Sequence, residues 1–166
     1  SEDSLFENRA ATWYYKGYIY KDLFKKSESE NKESPLRDLS VEYYKKGYEM
    51  EPEGSYAKSI ANGLIYLAQT YYNHSATSFS PKTYPLALEN YDNYKKTIKI
   101  VEPNSDFREK DINFNLAMAS TYGRVASEDS SKADSYLAKA KGLYELILKL
   151  DSSNINANYN LGIIYY

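Results

Sequence analysis

The sequence contains no cysteine and a single histidine among its 166 residues. Disulfide bonds and thiol chemistry are therefore excluded from this chain, and a zinc site is not expected. The chain also lacks a large excess of charge of either sign, because it has 21 lysine and arginine residues and 23 aspartate and glutamate residues. This balance gives no electrostatic reason to expect nucleic acid or an anionic membrane as partner.

Long apolar runs are missing as well: none approaches the roughly 20 residues that span a bilayer. We therefore expect no membrane insertion. The chain shows no signal peptide, yet it starts at Ser1 rather than at a methionine, as a processed product or an excised segment would. The sequence indicates a soluble protein and leaves its compartment open: the cytoplasm or, if a signal peptide was removed, the periplasm or the extracellular space.

Signals for catalysis are absent too. The chain has no glycine-rich phosphate loop, no nucleophile elbow and no cluster of metal-ligating side chains. The lone His74 follows a helical pattern, and we expect it in a polar loop and exposed to solvent. The sequence therefore predicts a protein that is not an enzyme and that uses neither a metal nor another cofactor.

What the sequence does contain is tyrosine, 20 residues in all, and an imperfect internal repeat built on a small residue and a tyrosine. The first three copies start 51 residues apart, and the fourth starts 43 residues later. Repeats of this length predict a stacked array, and arrays usually bind partners. The four copies are Trp13-x-x-Lys16-Gly17-x-x-Tyr20, Leu64-x-x-Leu67-Ala68-x-x-Tyr71, Asn115-x-x-Met118-Ala119-x-x-Tyr122 and Asn158-x-x-Leu161-Gly162-x-x-Tyr165.

Between these copies, apolar residues recur at steps of three and four, as on one face of an amphipathic helix. No segment shows sustained alternation of apolar and polar residues, so no sheet is expected. The pattern predicts seven helices, at 4–26, 35–50, 55–73, 85–101, 105–127, 131–150 and 154–166.

Proline and small polar residues mark the ends of these helices. Ser34-Pro35 predicts an N-cap followed by a first-turn proline, and Pro85 is expected in the same role. Glu51-Pro52 and Glu102-Pro103 predict helix ends, because the residue before proline avoids the helical region. The remaining candidate N-caps are Ser105, Ser130 or Ser131, and Ser153 or Asn154. We expect loops at 25–33 and 73–83.

The whole pattern resembles the tetratricopeptide repeat, whose motif is Trp-x-x-Leu-Gly-x-x-Tyr on a first helix, Ala-x-x-x-Phe on a second, and then proline. The best matches are Asn158-x-x-Leu161-Gly162-x-x-Tyr165 and, before it, Ala140-x-x-x-Tyr144. The resemblance implies an all-α fold, a right-handed α-solenoid of antiparallel helix pairs. It covers 1–166 as one array with repeats at 4–52, 55–103 and 105–152 and a half repeat at 154–166.

The chain departs from the family in its period, which is longer than the roughly 34 residues that are typical. In the second repeat, Asn62-Gly63-x-x-Tyr66 offers an alternative register. The shared small-residue position, occupied by Gly17, Ala68, Ala119 and Gly162, predicts that paired helices approach closely there.

The resemblance also implies where function lies, since the first helices of the pairs line a groove that holds an extended peptide or a partner helix. Asparagine can pair with a peptide backbone through one acceptor and two donors, and tyrosine adds an aromatic wall. Arg124 is the only cation in this set, so we expect no strong preference for acidic C-terminal peptides. The candidate binding residues are Asn62, Asn113, Asn156, Asn160, Tyr15, Tyr18, Tyr66, Gln69 and Arg124.

We interpret the chain as a non-catalytic protein–protein interaction scaffold. The alternative is a carbohydrate-binding accessory protein, because a groove rich in tyrosine and asparagine also suits sugars. A third interpretation is an assembly module of a longer protein. The helix at 154–166 has no predicted partner helix, and we expect Leu161, Ile164 and Tyr165 to form a bare face through which the chain self-associates.

Overall fold

A computed structural model describes residues 9–77 and 79–165. Within these ranges the chain is helical and contains no strand, so the predicted all-α class with seven helices is confirmed. Among the described residues, no helix is both long enough and apolar enough to span a membrane. The helices are α1 (Ala10–Leu23), α2 (Pro35–Met50), α3 (Ala57–Ala76), α4 (Tyr84–Val101), α5 (Arg108–Glu128), α6 (Ala133–Leu150) and α7 (Ile155–Tyr165).

Helix α2 begins and ends where the sequence predicts. The Ser34 hydroxyl oxygen accepts a hydrogen bond from the Arg37 backbone N–H at 3.2 Å, and Pro35 occupies the first helical position. The N-terminus of α7 is capped in the same way, because Asn154 Oδ1 accepts from the Ala157 N–H at 3.1 Å. The predicted first-turn role of Pro85 in α4 is confirmed too.

Two other predicted caps are wrong. Helix α5 starts after Ser105, and Asp106 Oδ1 accepts from the Arg108 N–H at 2.8 Å. Before α6, Asp129 caps a short 3-10 turn by accepting from the Ser131 N–H at 3.1 Å. In both places the carboxylate precedes the α-helix, whose own N-cap residue (Phe107 or Lys132) makes no side-chain hydrogen bond, and its charge suits the positive end of the helix dipole.

The two predicted loops are shorter than expected. A π-helical turn at Phe24–Glu28 extends α1 into the segment 25–33, and α3 continues through Ala76 into the segment 73–83. Both extensions carry buried side chains, Phe24 in the first and His74 with Ser75 in the second. The burial of these side chains stabilises the helical conformation in two segments whose polar sequence predicts loops. Residues 4–8 of the predicted first helix and Tyr166 lie outside the described residues.

The chain divides into two compact units. Unit 1 comprises the described residues up to Ser75 together with Glu89–Ser105, and unit 2 comprises Ala76–Leu88 and Asp106–Tyr166. Helix α4 therefore begins in unit 2 and ends in unit 1. The single right-handed solenoid stays a prediction.

In unit 1, α1 packs antiparallel to α2, and the buried Tyr44 ring of α2 lies between Gly17 of α1 and Gly63 of α3. The Ser40 hydroxyl donates to the Gly17 carbonyl at 2.8 Å. A Cβ atom at Gly17 would lie 2.5 Å from Tyr44 Cδ1, and one at Gly63 of α3 would lie 2.5 Å from Tyr44 Cε2. Both glycines are therefore required by close packing, as predicted for Gly17. The core is completed by Phe24, Ile60, Leu64 and Leu67.

In unit 2, α5, α6 and α7 share an apolar core that includes Met118, Tyr144 and Ile147. The predicted close approach at Gly162 is wrong, because among the described residues no side chain and no backbone of another segment lies within 4 Å of a Cβ placed there. The buried side of α7 runs through Ala157 and Leu161, and Gly162 lies beside it.

The predicted bare face of Leu161, Ile164 and Tyr165 on α7 is also wrong, because the buried side of this helix includes two of these three residues. Leu161 lies in the core of unit 2 and Ile164 packs against that core. Tyr165 alone of the three predicted residues is exposed. The exposed apolar stripe consists instead of Ile155, Tyr159 and Ile163, at intervals of four residues.

Candidate binding surface

Five of the predicted binding residues lie in unit 1, and all five are exposed. Tyr15 and Tyr18 come from α1; Asn62, Tyr66 and Gln69 come from α3. We call these five residues the aromatic face. Its three tyrosines keep between 39% and 54% of their surface accessible. Large aromatic side chains this exposed are available to contact a ligand.

Contacts between α1 and the neighbourhood of α3 hold the two halves of the aromatic face side by side. Tyr56, just before α3, stacks on Tyr14 of α1 with ring centres 4.7 Å apart, and its ring lies 5.8 Å from that of Tyr15. Further along, Lys25 Nζ lies 5.3 Å from the centre of the Tyr66 ring. These contacts join α1 to the residue before α3 and bring Lys25 of the π-helical turn to Tyr66 of α3.

Lysine side chains border this surface. Lys21 Nζ lies 4.9 Å from the centre of the Tyr18 ring. Burial lowers the pKa of Lys21, and the nearby charge of Lys25 lowers it further. One turn away, Lys26 and Asp22 form an exposed ion pair at 2.7 Å. The rings of Tyr18 and Tyr66 therefore combine exposed apolar surface with cation–π contacts to these lysines.

The amides of the aromatic face differ in what they already bind. Gln69 Nε2 donates to Asn73 Oδ1 at 2.9 Å, which aligns the two side chains along α3. The Asn62 side chain is exposed and makes no hydrogen bond to another described residue. Its acceptor and two donors therefore remain open to a ligand.

The other four predicted residues lie in unit 2. Asn113 and Asn156 are exposed on α5 and α7. Asn160 Nδ2 donates to the Asn156 carbonyl at 2.7 Å, so one of its donors serves its own helix. Arg124 NH1 lies 3.0 Å from Glu128 Oε1, and this ion pair counters the only cation in the predicted set. A binding column of Asn62, Asn113 and Asn156 stays a prediction.

Unit 1 also contains a groove that the sequence analysis does not predict. It is a groove of about 440 Å³ among α2, α3 and α4, within the size range of ligand pockets. The Tyr71 hydroxyl donates to Asp38 Oδ1, and burial together with this hydrogen bond raises the pKa of Tyr71. The repeating face of α2 and α4 could have indicated it, but the family resemblance places ligands on the odd-numbered helices. Its lining includes Asp38, Lys45, Tyr71, Lys96, Thr97 and Ile100.

His74 does not lie in an exposed loop, and that prediction is wrong. It belongs to the last turn of α3, with 9% of its surface accessible. Its Nδ1 atom lies 2.8 Å from Arg37 NH1, and its Nε2 atom lies 3.0 Å from the Ser29 carbonyl oxygen. Both ring nitrogens therefore have partners inside unit 1, which explains why a polar ring is buried there.

Comparisons with protein-family models, with curated proteins and with solved structures find no match to this chain. The class that the structure establishes is that of an all-helical protein whose adjacent helices pack in pairs.

Proposed function

We propose that this chain is a non-catalytic interaction scaffold that binds an extended peptide or a partner helix across the aromatic face. The observation that supports this proposal is the exposure of Tyr15 and Tyr18 on α1 and of Tyr66 on α3, one turn after the exposed amide of Asn62. Tyrosine is a frequent binding hot spot because it adds a large contact area at a small entropic cost. Asn62 would supply the directional hydrogen bonds that fix the backbone of the ligand.

The expected ligand follows from the same surface. It is an extended segment that presents apolar side chains to the tyrosine rings and backbone N–H and C=O groups to the amide. The family resemblance agrees with this choice, since the first helices of its repeats line the ligand groove. The tetratricopeptide assignment itself is part of the proposal.

A display library of random peptides, selected on the purified protein, tests this function. Peptides that bind are compared on wild type, on Tyr66→Ala and on Leu146→Ala, a control that removes a similarly exposed apolar side chain from α6 in unit 2. We expect Tyr66→Ala to weaken binding by about tenfold, the usual loss at a hot spot, and the control to bind like wild type. Equal binding to all three proteins would contradict the proposal, as would a library without binders.

The second candidate is carbohydrate binding, which the exposed rings of Tyr15, Tyr18 and Tyr66 and the exposed amides of Asn62 and Gln69 in the same unit favour. A sugar stacks its apolar face on aromatic rings and hydrogen-bonds its hydroxyl groups to amides. Glycan-dependent thermal stabilisation that disappears in Tyr15→Ala but persists in Asn62→Ala would select this function. Stabilisation by peptides alone would eliminate it.

We also propose that α7 mediates self-association. Ile155, Tyr159 and Ile163 form one helical stripe and keep 81%, 69% and 58% of their surface accessible. A stripe of this kind is usually buried against another helix. Light scattering over a concentration series should show dimers or larger species for wild type and a monomer for Tyr159→Asp. A wild-type protein that stays monomeric at the highest concentration would overturn this proposal.

A further inference from the structure

Three buried polar side chains from three helices meet in unit 1. Arg37 of α2 is almost completely buried, with 1% of its surface accessible. Its NH1 atom lies 2.8 Å from His74 Nδ1 of α3, and its NH2 atom donates to Asn90 Oδ1 of α4 at 3.0 Å. One guanidinium group therefore ties three helices together by directional bonds.

The same side chains hold the segment between the π-helical turn and α2, residues 29–34, which we call the connector. The Lys32 carbonyl oxygen accepts from Arg37 NH2 at 2.8 Å and from Asn90 Nδ2 at 3.1 Å. The Ser29 carbonyl oxygen lies 3.0 Å from His74 Nε2. The connector is therefore fastened at two of its carbonyl groups by side chains of the core.

The partners of His74 determine its protonation state. A guanidinium group only donates hydrogen bonds, so His74 Nδ1 must accept from Arg37. The ring proton then resides on Nε2, which donates to the Ser29 carbonyl. Burial and then the charge of Arg37 lower the pKa of His74, so the ring is neutral at neutral pH.

The other groups around the His74 ring determine which contact is lost when the ring gains a proton. On the connector, Glu30 favours the charged ring and Lys32 opposes it; from α4, Asn90 is neutral. Arg37 itself stays anchored, since its guanidinium carbon lies 3.8 Å from the centre of the Tyr71 ring, whose hydroxyl is bound to Asp38. Phe24 of the π-helical turn lies on the same guanidinium at 5.6 Å.

We propose that His74 is an acid-sensitive latch for the connector. A proton added to Nδ1 faces the N–H of Arg37, so two donors meet and the contact between the two side chains is lost. The ring then turns away from Ser29, and the connector is released from α3 while the helices remain folded.

The test uses hydrogen exchange of the connector amides at pH values from about 8 to 5, corrected for the intrinsic pH dependence of exchange. The Asn31 and Glu33 amides are hydrogen-bonded in the closed connector and report on its release. We expect them to lose about tenfold or more of their protection as the ring gains a proton, while the amides of α2 and α3 stay protected. His74 is the only histidine, so its ring signals in NMR spectra measure the same transition directly.

His74→Gln is the matched variant, because its side-chain amide keeps one acceptor and one donor but does not titrate. Its connector should keep the same protection over the whole pH range. Loss of protection in this variant, or a wild-type connector that stays protected after the ring has titrated, would overturn the proposal. If the variant does not fold, the wild-type protein still decides, since the midpoints of connector release and of ring titration must coincide.

Discussion

Unit 1 and unit 2 bury different kinds of side chains. Of the described residues, seven polar or charged ones are buried, and all seven belong to unit 1. The core of unit 2 consists of alanine, methionine, tyrosine, leucine and isoleucine. The glycines differ in parallel, because Gly17 and Gly63 of unit 1 touch an aromatic ring whereas Gly123 and Gly142 of unit 2 have open space.

This difference shows two ways to build a helical core from similar repeats. Directional hydrogen bonds accept few alternative arrangements, so a polar core specifies one packing and loses much when a single partner is removed. An apolar core depends mainly on volume and tolerates substitutions that conserve it. We therefore expect unit 1 to respond more strongly than unit 2 to single changes, and only unit 1 to respond to protonation of a buried side chain.

The largest expected effect comes from Arg37→Ala. It removes the Arg37 donor from His74 Nδ1 and Asn90 Oδ1 and one of the two donors to the Lys32 carbonyl oxygen, which should cost about 3–5 kcal/mol of unfolding free energy. Urea unfolding followed by the fluorescence of the single tryptophan, Trp13, measures this loss in unit 1.

The control is Met118→Leu in the core of unit 2, a volume-conserving exchange that should cost less than about 1.5 kcal/mol. Circular dichroism measures its unfolding, because the tryptophan lies in unit 1. Similar losses for the two variants would remove the contrast between the cores.

Next in size are the glycines, which should respond with opposite sign. At Gly63 an added methyl group overlaps the Tyr44 ring, so Gly63→Ala should destabilise by about 1–3 kcal/mol despite the better helix propensity of alanine. At Gly142 nothing lies within 4 Å, so Gly142→Ala should stabilise by about 0.5–1 kcal/mol. Thermal unfolding of the two variants measures both stability changes, and changes of the same sign would contradict the explanation by packing.

A smaller gain is expected from Tyr44→Phe. The Tyr44 hydroxyl is buried and has no hydrogen-bond partner in the described part of the chain, and burial raises its pKa. Removing it relieves the desolvation of that group while the ring keeps its contacts, so the protein should become more stable by about 1 kcal/mol. A destabilised variant in urea unfolding would show that the hydroxyl contributes to the fold.

The smallest effect concerns pH. The folded protein lowers the pKa of His74 from its ordinary value of about 6.5, so the unfolded chain takes up the proton first as the pH falls. The stability that the neutral ring contributes is complete above that value and is lost as the pH falls toward the pKa of the folded state. Urea midpoints over this pH range should decline in wild type and stay level in His74→Gln, and parallel curves would contradict the assignment.

Local signals in the sequence predict a large part of the fold. The ends of α2 follow from Ser34-Pro35 and Glu51-Pro52, because a cap and a proline act within one turn. The family resemblance implies that Tyr15, Tyr18 and Tyr66 face away from the packed sides of their helices, and the structure places them at the surface. Their role in binding stays a prediction.

The rest depends on residues far apart in the chain. His74 is buried because Arg37, 37 positions earlier, and Ser29, 45 positions earlier, satisfy its ring nitrogens. Its own neighbours are polar and predict a loop. Likewise, no residue near Gly63 in the sequence indicates a contact with Tyr44. The packed helices show that Gly63, the small residue of the alternative register of the second repeat, lies against the Tyr44 ring.

The packing of the Tyr44 ring between Gly17 and Gly63 constrains the evolution of the sequence as well as the stability of the fold. The three positions lie on three helices and share one fixed space, so a side chain gained at 17 or 63 needs a smaller residue at 44. Relatives of this chain should therefore show correlated changes at these positions even where the rest of the sequence has diverged. Such a triplet, with two glycines 46 positions apart and an aromatic residue between them, offers a criterion for recognising distant members of the same lineage.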